Sequence, residues 1–150
     1  LVGVDVSYTS LRLVLPVVWP LLDASDPAAR LVAFVRPQFE AGSRLGKASH
    51  ELIAPNHELA RDKTLQLRVL DELLGFARRK LDDCSVLASV VSPLTDATDT
   101  AEFLVAFGHK AHLQGSAPPG PFVSREGLGE ALTAGKAKAQ GKRLVLEAGD

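Results

Sequence analysis

The chain opens on LVGVDVS, a short apolar run with no polar alternation to give it a wet face. It predicts a strand ending at Asp5, of the parallel kind that helices cover on both sides. Ser10 then stands as an N-cap for Leu11 to Leu22, a stretch apolar almost all round. A helix of that composition is expected to be buried, and Pro16 to bend it or end it early. After the turn-rich Asp23 to Arg30, LVAFV predicts a second buried strand that runs up to Arg36 and Pro37. From Gln38 to Glu58 periodicity is lost and Gly42, Gly46 and Pro55 fall among polar residues, which reads as a long exposed loop.

Arg61 to Lys80 carries the clearest helical signal, with Leu65, Val69, Leu70, Leu73, Leu74 and Ala77 on one face. CSVLASVV, Cys84 to Val91, is a third strand stopped by Ser92 and Pro93, and AEFLVAF, Ala101 to Phe107, a fourth. So short a connection between the last two favours an antiparallel pair over a crossover. Gln114 to Pro121 has the composition of a linker, and Ser124 caps a last short helix through about Ala139. The organisation read from this pattern is an α/β unit over residues 1–113, a linker over 114–123 and a helical tail over 124–150.

Composition narrows the class. The 150 residues suit one compact domain, and 46% hydrophobic content is ordinary for a globular fold, which argues against disorder. Lys+Arg 17 against Asp+Glu 18 excludes a strongly basic nucleic-acid glue or an acidic tail protein, though a local basic patch survives such averaging. The single cysteine, Cys84, forms no internal disulfide, and no Cys/His cluster has zinc spacing, so a reducing, cytoplasmic setting without a metal is expected. The longest apolar stretch, Leu13 to Leu22, is interrupted by two prolines and falls well short of the ~20 residues of a membrane span. The sequence starts at Leu1, holds no Met and shows no charged leader, and so reads as beginning inside a longer protein.

Chemistry in an open α/β sheet gathers beyond the carboxyl ends of its strands. Asp5 and Ser7 follow the first strand, Arg36 the second and Ser92 the third, and Glu102 opens the fourth. With the fourth strand reversed, an Asp, an Arg and a Glu distant in sequence converge on one crevice. Each also has a plainer reading: Asp5 as a turn cap, and Arg36 with Glu102 as a structural ion pair.

The residue strings say more. VDVSYTSLRLVLP, LVAFVRPQFEAG, RDKTLQLRVLDELLGFA and SPLTDATDTAEFLVAF occur in an order that resembles the TlyA-type family of haemolysin-like ribosomal RNA 2′-O-methyltransferases. That family shares its catalytic layout with the FtsJ-type enzymes. The resemblance runs from Leu1 to about Phe107, and Pro37, Gln38, Phe39, Glu40 and Gly42 match its most distinctive segment. Arg61 and Asp62 fit the start of the family helix after the loop, whereas Ala48 to Leu59 depart from the usual pattern.

The resemblance implies the second half of a Rossmann-like class I methyltransferase sheet, three parallel strands plus a final antiparallel strand, with S-adenosylmethionine as cofactor and ribosomal RNA as partner. It implies a Lys-Asp-Lys-Glu tetrad in which Asp5 falls on the Asp, Glu102 on the Glu, and Arg36 on the second Lys. The first Lys and the glycine-rich cofactor loop would lie upstream of Leu1.

Transfer of a methyl group to a ribose hydroxyl needs in-line alignment and loss of the hydroxyl proton. A lysine serves because burial and neighbours can lower its pKa, but an arginine keeps its charge and is no base. Arg36 therefore contributes positive charge, and the alternative is a non-catalytic RNA-binding or ribosome-associated remnant of the family.

Other residues take plainer readings: His50, His57, His109 and His112 as solvated loop histidines, Cys84 as a small buried hydrophobe, Trp19 as core, and Lys136, Lys138, Lys142 and Arg143 as a soluble helix face. A hydrolase using Ser7 or Ser92 lacks a placed histidine.

Overall fold

A computed structural model describes residues 1–45, 59, 62–92 and 100–113. The predicted tail helix, the linker and most of the Gln38 to Glu58 stretch lie outside these residues. Four strands, β1 (Val2–Val4), β2 (Leu31–Val35), β3 (Cys84–Val91) and β4 (Phe103–His109), form an open sheet in the order β1-β2-β4-β3. β1 and β2 are parallel, and β4 runs antiparallel to both its neighbours. The last strand is thus inserted between β2 and β3, which leaves β3 pointing the same way as β1 and β2 without touching either. The predicted antiparallel β3/β4 pair is present, and β4 starts two residues later than its apolar run suggested because Ala101 and Glu102 precede the ladder.

Helix α1 (Leu11–Val18) starts at Ser10, whose hydroxyl oxygen accepts from Arg12 N. It continues through Pro16, ends two residues later, and passes into a 3-10 turn over Trp19–Leu21. Its burial differs from the expectation. Leu11, Leu15 and Trp19 are buried, whereas Leu13, Val17 and Leu21 are each 72% exposed. With 3.6 residues per turn, the positions opposite Leu11 and Leu15 point away from the sheet whatever their polarity.

Gln38 to Leu45 is not loop. Pro37–Leu45 forms helix α2, in which Pro37 occupies the first turn, where its missing N–H costs nothing, and Phe39 N donates to Arg36 O at 2.9 Å. The residues α2 buries include Gln38 and Glu40 as well as Ala41, and polar residues on the buried face erase the apolar periodicity a sequence reading relies on. Helix α3 (Lys63–Lys80) begins at Asp62, whose carboxylate accepts from Thr64 N and Leu65 N.

One continuous core joins Leu11, Leu15 and Trp19 of the first crossover, Leu70, Leu73, Leu74 and Ala77 of α3, and the inward residues Leu31, Ala33, Val35, Phe103, Val105 and Phe107. Burying each large side chain contributes roughly 1.5–3 kcal/mol relative to leaving it exposed. On the other face Val32, Phe34, Leu104 and Ala106 are half-buried.

Candidate functional site

The β2/β4 register pairs Val35 with Phe103, so the next residue of β2, Arg36, lies across from the residue that precedes β4, Glu102. The β1/β2 register brings Asp5, just past Val4, to the same edge. Arg36 joins the two carboxylates: its Nε donates to Glu102 Oε1 at 2.7 Å and its Nη1 to Asp5 Oδ1 at 2.6 Å, with a further 3.2 Å bond to Val6 O. The convergence read from the strand ends is therefore present.

Burial differs among the three. The side chains of Arg36 and Glu102 are 18% and 15% exposed, whereas that of Asp5 is 58% exposed and open to a ligand. Burial opposes the charged guanidinium, but the hydrogen bonds to Glu102 and Asp5 outweigh it and hold the Arg36 pKa above its ordinary value. The group stays a cation, flanked by two carboxylates, and has no lone pair with which to take a proton.

Neighbouring side chains fix this edge. Buried Gln66 of α3 donates to Leu59 O at 2.8 Å and accepts from Ala101 N at 3.1 Å, which anchors the chain one residue before Glu102. Ser92, buried at the end of β3, donates its backbone N–H to Glu102 O at 2.8 Å. Tyr8 is 68% exposed and lies against Phe39 with ring centroids 5.1 Å apart. Its φ of 59° is left-handed, a conformation that costs a non-glycine residue roughly 1–2 kcal/mol.

Glu40 is almost fully enclosed and accepts from Ser10 Oγ and Leu11 N, each at 2.6 Å. Burial raises its pKa, against the opposing pull of Ser10, Leu11 and Arg12. Sequence reading quoted Glu40 within a motif but gave neither it nor Tyr8 a role. The one available signal was that an acidic and an aromatic residue sit within a few positions of Arg36 and Asp5.

Of the described histidines, neither fits the solvated-loop expectation fully. His109 belongs to β4, is 8% exposed and packs on Trp19 with ring centroids 4.8 Å apart. His112 lies in the 3-10 turn Lys110–Leu113, with Nε2 2.8 Å from Ala24 O. Both stand at the sheet end remote from Ser92, so they supply no base for a serine nucleophile there. Cys84 is buried, and desolvation pushes its thiol up to about 11, the behaviour of a small hydrophobe. Among the described residues no group of three metal-ligating side chains occurs, and no helix is long and apolar enough to cross a membrane.

None of the described strand-to-helix turns is glycine-rich. What the described residues gather at this edge is a cation, two carboxylates and an exposed aromatic ring.

The fold and this edge define a mixed α/β domain with a charged cluster where the first two strands end and the last begins. Comparison with known proteins then gives a relative. Over 103 residues, 68% of the chain, the sequence is 35% identical to a putative rRNA methyltransferase, YqxC, of Bacillus subtilis. Over that stretch the chain is similar to this putative rRNA methyltransferase, in agreement with the resemblance read from its sequence. No protein-family model matches the chain.

The fold is similar to that of a putative hemolysin from Streptococcus thermophilus, with a TM-score of 0.59 and 24% identity over 92% of this chain and 44% of that one. It is also similar to one from Lactococcus lactis, with a TM-score of 0.55 and 23% identity over 87% of this chain and 53% of that one. The matched part is 32% of the length of the curated relative.

Proposed function

We propose that this chain is the acceptor-side part of an S-adenosylmethionine-dependent ribosomal RNA 2′-O-methyltransferase that works in the cytoplasm. The observation that carries the reading is the bridging of Asp5 and Glu102 by Arg36, because these are the positions the family tetrad assigns to Asp, Glu and the second Lys. The strand order supports it. Three strands point one way and a late antiparallel strand is inserted among them, as expected for the second half of a Rossmann-like methyltransferase sheet.

In this reading S-adenosylmethionine, when bound, would supply an electrophilic methyl group. The exposed Asp5 carboxylate accepts a hydrogen bond from the ribose hydroxyl and turns its oxygen toward the methyl donor. Glu102 holds the guanidinium plane, and Arg36 draws the neighbouring phosphate or ribose oxygen into place. Tyr8 offers a face on which a base can stack. As the O–C bond would form and the donor's S–C bond break, with a neutral thioether as leaving group, the hydroxyl proton would pass through the Asp5 carboxylate to water, since Arg36 cannot take it.

That assignment makes the rate sensitive to one substitution. In the intact protein, transfer of labelled methyl groups to ribosomal RNA is expected to be weak or absent and to recover in Arg36→Lys. Wild-type turnover equal to that of the Lys variant would remove the requirement for lysine. An arginine where the family tetrad has a proton-accepting lysine also favours the second reading, a non-catalytic RNA-binding remnant, and that reading gains if Arg36→Lys binds RNA as the wild type does yet transfers nothing.

A further inference from the structure

The loop from Asp5 to Ser10 carries the exposed carboxylate and the exposed ring of the candidate site. It is held by a single short segment, Arg36 to Glu40, at three points. Arg36 bonds Asp5 Oδ1 and Val6 O at its start, Phe39 packs on Tyr8 in the middle, and Glu40 bonds Ser10 Oγ and Leu11 N at its end. The left-handed Tyr8 backbone persists between these fixed ends, as a strained residue does when its surroundings over-determine it.

The last of the three contacts is not needed to start α1. Ser10 already caps that helix locally by accepting from Arg12 N at 3.2 Å. Glu40 adds a second set of bonds across 29 and 30 residues of sequence, from a carboxylate whose side chain is 1% exposed and whose nearest cation, Arg12 Nε, is 4.0 Å away. Glu40 caps the Leu11 N–H, which Ser10 does not, and does so from a segment distant in sequence. It locks the far end of the loop to the helical turn whose preceding residue is Arg36.

We propose that Glu40 is a positioning residue: through Ser10 and Leu11 it sets the Asp5 to Ser10 loop so that the Asp5 carboxylate meets Arg36 and faces substrate. The assignment to substrate rests on the methyltransferase reading, whereas the mechanical link to Arg36 stands on the contacts alone. Among the described residues the charged groups facing Glu40 are Arg12 on α1 and, through Arg12 Nη2 at 3.8 Å, Glu72 on α3.

The test uses the intact protein with Glu40→Ala and Glu40→Gln, and reads by NMR the solvent exchange of the Arg36 Nη–H that bonds Asp5 and of the Leu11 amide. Methyl transfer is read in parallel in the Arg36→Lys background. With Ala both protons are expected to exchange about tenfold faster, and in the Lys background kcat to fall about tenfold while KM for RNA stays within about twofold. Gln keeps an acceptor for Leu11 N, so its melting temperature stays near that of the parent while exchange at Arg36 still quickens; it provides the reading if the Ala variant does not fold.

Loss of Leu11 protection with Arg36 exchange unchanged in both variants would overturn the proposal and reduce Glu40 to a helix cap. Absence of methyl transfer in every protein, with Arg36 exchange quickened as stated, would remove the methyltransferase reading and leave the positioning role intact.

Discussion

The two ends of the sheet are both polar, and they are polar in opposite ways. Where β1 and β2 end and β4 begins, a cation and two carboxylates meet, one of them more than half exposed. At the other end, Trp19 Nε1 donates to Asp82 O at 2.9 Å, the Trp19 ring covers His109, and Asp83 accepts from Lys110 N and Ala111 N. There these three bonds each have a backbone partner, and an aromatic pair seals the joint. Polarity that ends on main-chain partners holds a fold together, whereas charge that is gathered and left partly open is available to a ligand.

If this contrast is right, the closed end governs stability more than the open one. Trp19→Ala removes the seal and one hydrogen bond, and is expected to cost about 3–5 kcal/mol in urea denaturation. A cost near that of a surface substitution would erase the contrast. Arg36→Ala leaves two carboxylates facing each other at a partly open edge and is expected to cost less, about 1–2 kcal/mol after solvent screening. Adding Glu102→Gln should relieve part of that loss in a double-mutant cycle, and additive losses would mean that the pair is not coupled.

The smallest expected effect is a pH slope. Because burial raises the Glu40 pKa in the folded protein above its ordinary 4.5, the folded state binds the proton more readily than the unfolded one. The penalty is therefore complete above the raised pKa and absent below 4.5. Wild-type stability measured against Glu40→Gln is expected to fall as pH rises through that interval, and a rising difference would reverse the assignment.

The open end was legible in the chain because the rule that produces it is local. Apolar runs stop at Asp5 and Arg36, and the short connection after β3 reverses β4, which brings Glu102 to the same side. What was not legible depended on long-range burial. Gln38 and Glu40 hide α2 because their cover, and for Glu40 its partners Ser10 and Leu11, come from elsewhere in the fold, and no pattern within Gln38 to Glu58 reveals that. Leu13, Val17 and Leu21 were expected inside because they are apolar, but the sheet can cover only one side of α1. His109 looked like loop because β4 extends two residues past its apolar run, to where a tryptophan from the first crossover shelters a histidine.

The insertion of β4 between β2 and β3 also imposes an order of events during synthesis. Val35 and its partner Phe103 are separated in the chain by α2, α3 and β3. As the polypeptide emerges, β1 and β2 can join early, but β3 has no neighbour until the strand after it appears. Until then one flank of β2 presents unpaired backbone groups to every other nascent chain nearby, and Arg36 waits without Glu102. Translation through β4 is therefore the moment at which the sheet closes, and at which the charged cluster first exists.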